Sequence, residues 1–234
     1  MRIIPILLLA SLAATALAAD SPEAWFIPFA AAYQPPVGGF NAAFADNGMP
    51  AARSRHYGWG LELRTLTGSF LVGPLFFKTW DDVQNDSFRL RTDATGIFGE
   101  VGLKIAPFSF LTIVPMVAVG GLSQSFSIRE KTGTMPLNSL LGSPGRSVSL
   151  TTGTTLAGLG ALELGLAANS ATGGIGIALR GGYLYAPFRP SWRVVNGDAV
   201  SNTPEDRLGG WFFSVGLLLT PAVQTASQTD QGGS

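Results

Sequence analysis

The strongest constraint on the fold of this chain is a two-residue alternation of apolar side chains with small or charged ones. Over residues 57–64, Tyr, Trp, Leu and Leu alternate with Gly, Gly, Glu and Arg. The same alternation recurs in 97–105, 162–166, 175–185 and 211–219. Successive side chains of a β-strand point to opposite faces, so each stretch predicts a strand with one strongly apolar face. This pattern is typical of strands that line a membrane-spanning barrel.

The composition is consistent with apolar faces turned toward lipid. Hydrophobic residues make up 46% of the chain and charged residues only 13%, whereas about 25% is usual for soluble domains. Fifteen basic residues balance fifteen acidic ones, so no nucleic-acid partner is expected. Only helices and closed barrels satisfy the backbone in hydrocarbon. The best helical candidate, 105–122, contains two prolines and two glycines, which favours strands.

The N-terminus has the features of an export signal. Arg2 precedes an apolar run over 3–14, and Ala16-Leu17-Ala18 is a small-x-small cleavage site. We therefore predict a signal peptide over 1–18, a barrel domain over 19–220 and a disordered polar tail over 221–234. The chain has no cysteine, so the stability of the barrel must come from strand pairing and side-chain packing.

The fold class predicted from these patterns is all-β: a closed antiparallel up-and-down transmembrane β-barrel of about eight strands. The strands are expected near 24–33, 57–67, 70–80, 88–106, 110–129, 147–168, 173–188 and 209–220. Long connections alternate with tight turns, as in outer-membrane barrels with long outer loops and short periplasmic turns. A ten-stranded barrel would need a further hairpin, and the sequence offers no place for one.

The first long connection, 34–56, contains a predicted short helix. Phe40, Ala43 and Phe44 have helical spacing, and Asn47-Gly48 followed by Pro50 is a stop signal. The helix would either cap the barrel or insert into its mouth, and the sequence leaves both open.

The faces opposite the apolar ones carry charges that we expect in the lumen. They are Glu62, Arg64, Glu100, Lys104, Glu163 and Arg180, with Lys78 as a further candidate. The interior of an eight-stranded barrel is just wide enough to be filled by side chains, and buried charges are tolerated when paired. The preferred interpretation is a structural ion-pair network that fills the lumen. The alternative is a gated polar path for small solutes or ions.

Aromatic residues near the predicted strand ends indicate an interfacial girdle. Such girdles mark the two boundaries of the hydrocarbon layer. The candidates are Trp25, Tyr33, Tyr57, Trp59, Trp80, Tyr183, Tyr185 and Trp211.

Any histidine-dependent hydrolase would have to use His56, which is the only histidine of the chain. Ser54 and Asp46 lie nearby in sequence, so a lipid A-modifying hydrolase is the exception to consider. No motif around His56 supports it, and we predict that the protein is not an enzyme. The acidic stretch 81–86 lacks the ligand spacing of a calcium loop; no metal or cofactor is expected.

The closing stretch Gly210-Trp211-Phe212-Phe213-Ser214-Val215-Gly216-Leu217, together with the leader and the alternating strands, resembles the small eight-stranded outer-membrane proteins of the OmpA/OmpX-like class. The resemblance covers the mature chain and implies a bacterial outer-membrane location. It implies outer-membrane lipid and the barrel assembly machinery as partners, and roles in envelope integrity, adhesion or host-surface contact. Residues 221–234 depart from it, because many such proteins end on an aromatic residue that the assembly machinery reads.

Three functions follow from these observations. The preferred one is a structural or surface-interaction barrel that presents the loops 34–56, 130–146 and 189–208 outward. The second is a narrow pore that uses the lumen charges. The third is a soluble periplasmic lipid-binding barrel, in which the apolar faces would point inward.

Overall fold

The computed structural model describes residues 23–131, 147–170, 173–195, 197, 199–201 and 203–220 of the 234-residue chain. The predicted signal peptide, the predicted C-terminal tail and most of the loop 130–146 lie outside these residues.

The described residues form eleven strands and one helix. In chain order they are β1 (Glu23–Tyr33), α1 (Gly38–Asp46), β2 (His56–Thr67), β3 (Phe70–Gln84), β4 (Phe88–Leu103), β5 (Ile105–Phe108), β6 (Leu111–Glu130), β7 (Ser147–Thr151), β8 (Thr155–Ser170), β9 (Gly173–Tyr185), β10 (Arg193–Val194) and β11 (Gly209–Thr220).

Eight of these strands close into one barrel. The hydrogen-bonded order is β6-β4-β3-β2-β1-β11-β9-β8, and the pairing of β8 with β6 completes the ring. All neighbours are antiparallel, and β1 pairs with β11 to join the two chain ends of the barrel. The prediction of a closed up-and-down barrel of eight strands is therefore confirmed.

Two of the predicted long strands are each interrupted. The stretch 88–106 divides into β4 and β5 at Lys104, whose backbone N–H donates to the carbonyl of Ser69 at 2.7 Å. The stretch 147–168 divides into β7 and β8 around Gly153, whose φ of +63° is a left-handed conformation that favours glycine. Both β7 and β8 still pair with β6, so the wall continues past the break.

Within the described residues, the one helix is far too short and insufficiently apolar to span a membrane.

The outer wall of the barrel is apolar. Along β2, Leu61 and Leu63 point outward while Glu62 and Arg64 are buried. The other wall strands follow the same rule and expose large apolar side chains such as Ile97, Val101, Val117, Val119, Leu162, Leu164, Ile175, Ile177, Phe213, Val215 and Leu217. A continuous apolar exterior around a closed barrel is the surface that hydrocarbon accommodates.

The lumen is filled by side chains in successive layers. We call the end with the tight turns at 68–69 and 109–110 the turn end, and the end that carries α1 the loop end. A lower apolar layer at the turn end consists of Trp25, Ile27, Leu66, Leu71, Val114, Met116, Ala178 and Leu218. An aromatic layer nearer the loop end contains Phe29, Tyr33, Phe77, Phe98 and Phe212 together with smaller apolar residues.

Glycines in the wall make room for the aromatic layer. A Cβ atom at Gly60 would overlap the ring of Phe29, and one at Gly96 would overlap the ring of Phe77. Phe77 in turn packs against Phe98 and Phe212, with ring centroids 6.1 and 5.0 Å away. The strand glycines thus let four phenylalanines meet inside a narrow barrel.

Helix α1 inserts into the mouth at the loop end. Phe40 and Phe44 are buried on its inner face. The ring centroid of Phe40 lies 4.6 Å from those of both Phe126 and Trp192. Phe126 belongs to the inward face of β6, where the wall extends beyond the barrel ring. The predicted helix is therefore present, and it lies within the mouth.

Hydrogen bonds hold α1 in that position. The side-chain amide of Asn41 donates to the carbonyl of Ala52, and its oxygen accepts from the N–H of the same residue, at 3.0 and 2.8 Å. The N–H of Gly39 donates to Asp206 Oδ2 at 2.9 Å. These contacts connect the helix to the segment between α1 and β2 and to the loop before β11.

Candidate functional site: a charged layer inside a closed lumen

Five charged side chains form one layer between the lower apolar layer and the aromatic layer. Glu62, Arg64, Glu100, Glu163 and Arg180 are each at most 4% exposed. Their height is fixed by strand register, because Glu62 pairs with Ile27 of the lower layer and with Leu75, which packs with the aromatic layer. We call these five residues the charged layer.

Arg64 binds the carboxylates on one side of this layer. Its Nη1 and Nη2 atoms donate to the two carboxylate oxygens of Glu163, each at 2.6 Å, in a bidentate pair. Its Nε lies 2.9 Å from Glu100 Oε1 and also contacts Glu62. Bidentate, charge-assisted pairs of this kind are roughly twice as strong as hydrogen bonds between neutral groups.

Arg180 completes the layer from the opposite wall. Its Nη2 and Nε donate to Glu163 Oε2 at 2.8 and 3.2 Å. Nη2 also donates to Glu62, and Nη1 lies 3.6 Å from Glu100 Oε2. Each guanidinium therefore contacts all three carboxyl groups.

The layer has three carboxyl groups and two guanidinium groups. It contains no hydroxyl, thiol or amine side chain, and the described residues hold no group of three or more His, Cys, Asp or Glu side chains arranged for a metal ion. Its chemistry is that of a cross-brace, which connects β2, β4, β8 and β9 through the interior.

Two lysines predicted as lumen residues do not join the charged layer. Lys104 lies four residues beyond Glu100, about 13 Å along the strand, and its ammonium stands 4.8 Å above the ring of Trp25 at the turn end. Lys78 points to the outer wall, because the inward set of β3 is Leu71, Gly73, Leu75, Phe77 and Thr79. The prediction that Lys78 faces the lumen was wrong, because its side chain lies on the outer face of β3.

Six of the eight predicted girdle residues lie on the outer wall near the loop end. Their exposed fractions range from 38% for Trp80 to 62% for Tyr57, and the others are Trp59, Tyr183, Tyr185 and Trp211. Trp25 and Tyr33 instead point into the lumen and are 5% and 2% exposed. The hydroxyl of Tyr33 donates to the carbonyl of Gly209 at 2.7 Å, which satisfies it inside the barrel.

His56 is fully buried at the loop end of β2. Its ring stands edge-on to that of Tyr33, with centroids 6.5 Å apart, whereas Ser54 and Asp46 are exposed. A lipid substrate has no access to this imidazole, so the geometry does not favour the hydrolase hypothesis.

The aromatic layer is the part of the lumen that the sequence patterns did not predict. Phe29 and Phe77 lie in strands whose two faces are both apolar, so alternation alone does not separate inside from outside. The wall glycines Gly60 and Gly96, each facing an aromatic ring, were the available signal.

No protein-family model matches this chain, and no curated protein matches it. Solved structures do. The attachment invasion locus protein Ail of Yersinia pestis has a TM-score of 0.51 at 11% identity, covering 86% of this chain and 99% of that chain. A major outer membrane protein of Thermus thermophilus has a TM-score of 0.48 at 13% identity, covering 84% and 98%. Neisserial surface protein A has 0.43 at 8%, covering 86% and 99%.

The closed barrel, its apolar exterior and the fold that it shares with Ail define the class: a small eight-stranded outer-membrane β-barrel. A wall of this kind is stable only where hydrocarbon surrounds it, which places the protein in the bacterial outer membrane. The soluble lipid carrier would instead have charged faces on its exterior.

Proposed function

We propose that the protein is a non-enzymatic outer-membrane barrel with a structural or surface-interaction role. The observation that carries the proposal is the filling of the lumen at successive heights. From the turn end these are the lower apolar layer, the charged layer, the aromatic layer and α1 in the mouth. A solute would have to displace all four.

The energetics of these layers favour a permanently filled lumen. Breaking a buried ion pair by removing one partner costs about 3 to 5 kcal/mol, and the charged layer has several such pairs. The aromatic layer contains close ring contacts on both sides of Phe77. Both layers are packed across the lumen, so opening would require rearrangement of the core.

The surface role is supported by the loop end. We propose that this end faces outward and that the turn end faces the periplasm, as short turns do in outer-membrane barrels. The described parts of 34–56 and 189–208 then form the outer face, where α1 is held by its hydrogen bonds and Arg189 lies 2.9 Å from Glu205. The name of Ail associates that protein with attachment, which agrees with a surface role here. Outer-membrane lipid and the barrel assembly machinery are the proposed partners.

A narrow pore is the second candidate, and one observation favours it. The charged layer has one carboxyl group more than it has guanidinium groups, and rings of Asp or Glu side chains line the pores of cation channels. The two candidates differ in whether current passes.

The experiment that separates them begins with heat-modifiability of the outer-membrane fraction on SDS gels. A shift in migration on boiling is expected for the folded barrel. The purified barrel is then inserted into planar bilayers, where the proposed function predicts no single-channel steps from wild type, Glu100→Gln or Arg180→Gln. Stepwise currents that change on neutralising Glu100 or Arg180 would establish the pore instead.

A further inference from the structure

A group of arginines lies on the outer wall just beyond the proposed aromatic girdle. Asp82 of β3 is the next outward position after Trp80 toward the loop end, about 7 Å further along the strand. Arg89 and Arg91 of β4 lie on the same outward face, and so does Arg129 of β6. With Asp82 and Ser127, these three arginines line a cavity of about 150 Å³. We call the five residues the outer arginine patch.

The patch holds more positive charge than its own carboxylates balance. Arg89 donates to Asp82 through Nε at 2.9 Å and also through Nη2. Arg91 donates to Asp93 through Nε and Nη2 at 3.0 to 3.2 Å. Within the described part of the chain, Arg129 has no carboxylate partner. Three guanidinium groups thus share two carboxylates.

Strand register makes this imbalance unfavourable unless an anion joins the patch. Arg89 and Arg129 are directly opposite across the β4–β6 pair, and like charges at such positions destabilise a sheet. Arg89 cannot be neutralised, and it holds the pKa of Asp82 below its usual value, so the patch stays ionised in mild acid. One positive charge remains to be balanced.

The donors left in the patch match a phosphoryl group. A guanidinium has five N–H donors, and Arg89 and Arg91 each keep Nη1 free of their carboxylates. Among the described residues, all the guanidinium N–H donors of Arg129 are free of carboxylates, and the hydroxyl of Ser127 lies in the same cavity. Planar forks of this kind bind phosphate oxygens with good geometry.

The position of the patch on the barrel wall indicates which molecule carries the phosphoryl group. Its side chains point sideways from the barrel wall, one outward position above Trp80, while Lys78 stands one outward position below it. Lipid phosphates lie at this height, just outside the hydrocarbon boundary, and a lysine stem below can extend its ammonium toward them.

We propose that the outer arginine patch is a binding site for a phosphorylated glycolipid headgroup of the outer leaflet, such as the phosphates of lipid A, with Arg129 as its principal ligand. The proposal rests on the orientation given under the proposed function, with the loop end outward. It adds a specific lipid contact to a barrel that would otherwise meet lipid only through its apolar wall.

The test is native mass spectrometry of the full mature barrel in detergent, titrated with bis-phosphorylated lipid A. Arg129→Gln is expected to weaken binding about tenfold, as loss of a hydrogen bond between charged groups does. Arg189→Gln is the matched control, because Arg189 is an exposed arginine paired with Glu205 on the loop before β11. It should bind as wild type does.

Binding of two other ligands, dephosphorylated lipid A and inorganic phosphate, distinguishes a lipid phosphate from a free phosphate ion. Dephosphorylated lipid A should bind weakly, and equally to wild type and Arg129→Gln. The proposal is overturned if Arg129→Gln binds bis-phosphorylated lipid A as tightly as wild type does. It is also overturned if the dephosphorylated lipid binds equally well, or if excess inorganic phosphate displaces lipid A completely, since the patch would then hold a free anion. Heat-modifiability and conductance, measured on the same samples, report separately on the proposed function.

Discussion

At the level of single residues, Glu163 is the centre of the charged layer. Its two carboxylate oxygens accept hydrogen bonds from both guanidinium groups, at distances from 2.6 to 3.2 Å. Glu100 accepts one hydrogen bond from Arg64 at 2.9 Å and lies 3.6 Å from Arg180 Nη1. Both acids are buried, but Glu163 accepts more hydrogen bonds from the two guanidinium groups than Glu100 does.

Glu163→Gln should therefore destabilise the barrel strongly. The change replaces a carboxylate that accepts hydrogen bonds from both Arg64 and Arg180 by an amide whose NH2 group faces their N–H donors. Breaking a buried ion pair in this way costs about 3 to 5 kcal/mol. The measurement is the free energy of unfolding in urea, followed by tryptophan fluorescence of the barrel refolded into lipid vesicles.

Glu100→Gln is the matched variant, and it should cost much less. A glutamine there still accepts from Arg64 through its amide oxygen, so the one hydrogen bond that Glu100 makes is kept. Equal unfolding free energies for the two variants would show that the layer does not depend on the contacts of Glu163.

At the level of elements, alternation predicted the strands well and their faces less well. The bounds of β1, β2, β3 and β11 agree with the predicted stretches within a few residues. In β1 and β3, however, both faces carry large apolar side chains, so Trp25 and Tyr33 were placed outside and Lys78 inside. Only the closure of the sheet decides such cases, because a strand with two apolar faces has no local signal for its orientation.

Helix α1 is the element that we expect to detach while the barrel stays folded. It is anchored mainly by Phe40, which packs on Phe126 and Trp192, and it makes no backbone ladder with the wall. Few anchoring contacts give an element a low free energy of local opening.

Phe40→Ala should release α1 without unfolding the barrel. A buried Phe→Ala change costs about 3 to 5 kcal/mol, more than a short peripheral helix can lose. Trypsin should then cleave after Arg53, which lies next to the Ala52–Asn41 hydrogen bonds. The rate of this cleavage, followed by mass spectrometry, is the measurement.

Ala42→Ser on the exposed face of α1 provides the control and should leave the cleavage rate unchanged. Cleavage of Phe40→Ala at the wild-type rate would mean that the hydrogen bonds of Asn41 and Gly39, not the aromatic contacts, retain the helix.

At the level of the whole molecule, the barrel has opposite requirements on its two surfaces. The outer wall needs apolar side chains to lie in hydrocarbon, and the lumen of eight strands has room only for side chains. The chain meets the second requirement with apolar and aromatic layers as well as charges. The sequence patterns predicted the charges, since a charged residue contrasts with the apolar residues beside it in the sequence. They did not predict the aromatic layer, because its residues are as apolar as their neighbours.

This layering leads to a prediction about the closed state. Phe40→Ala opens only the loop-end mouth, while the aromatic layer of Phe29, Phe77 and Phe212 and the charged layer below it remain in place. Because each layer fills the cross-section by itself, the variant should still give no single-channel steps in planar bilayers, even when trypsin has cut the loop after Arg53. Currents that appear on release of α1 would mean that the helix is the sole barrier and that the layers beneath it rearrange. Silence would assign the closure to the packed interior, leaving α1 as part of the outer surface.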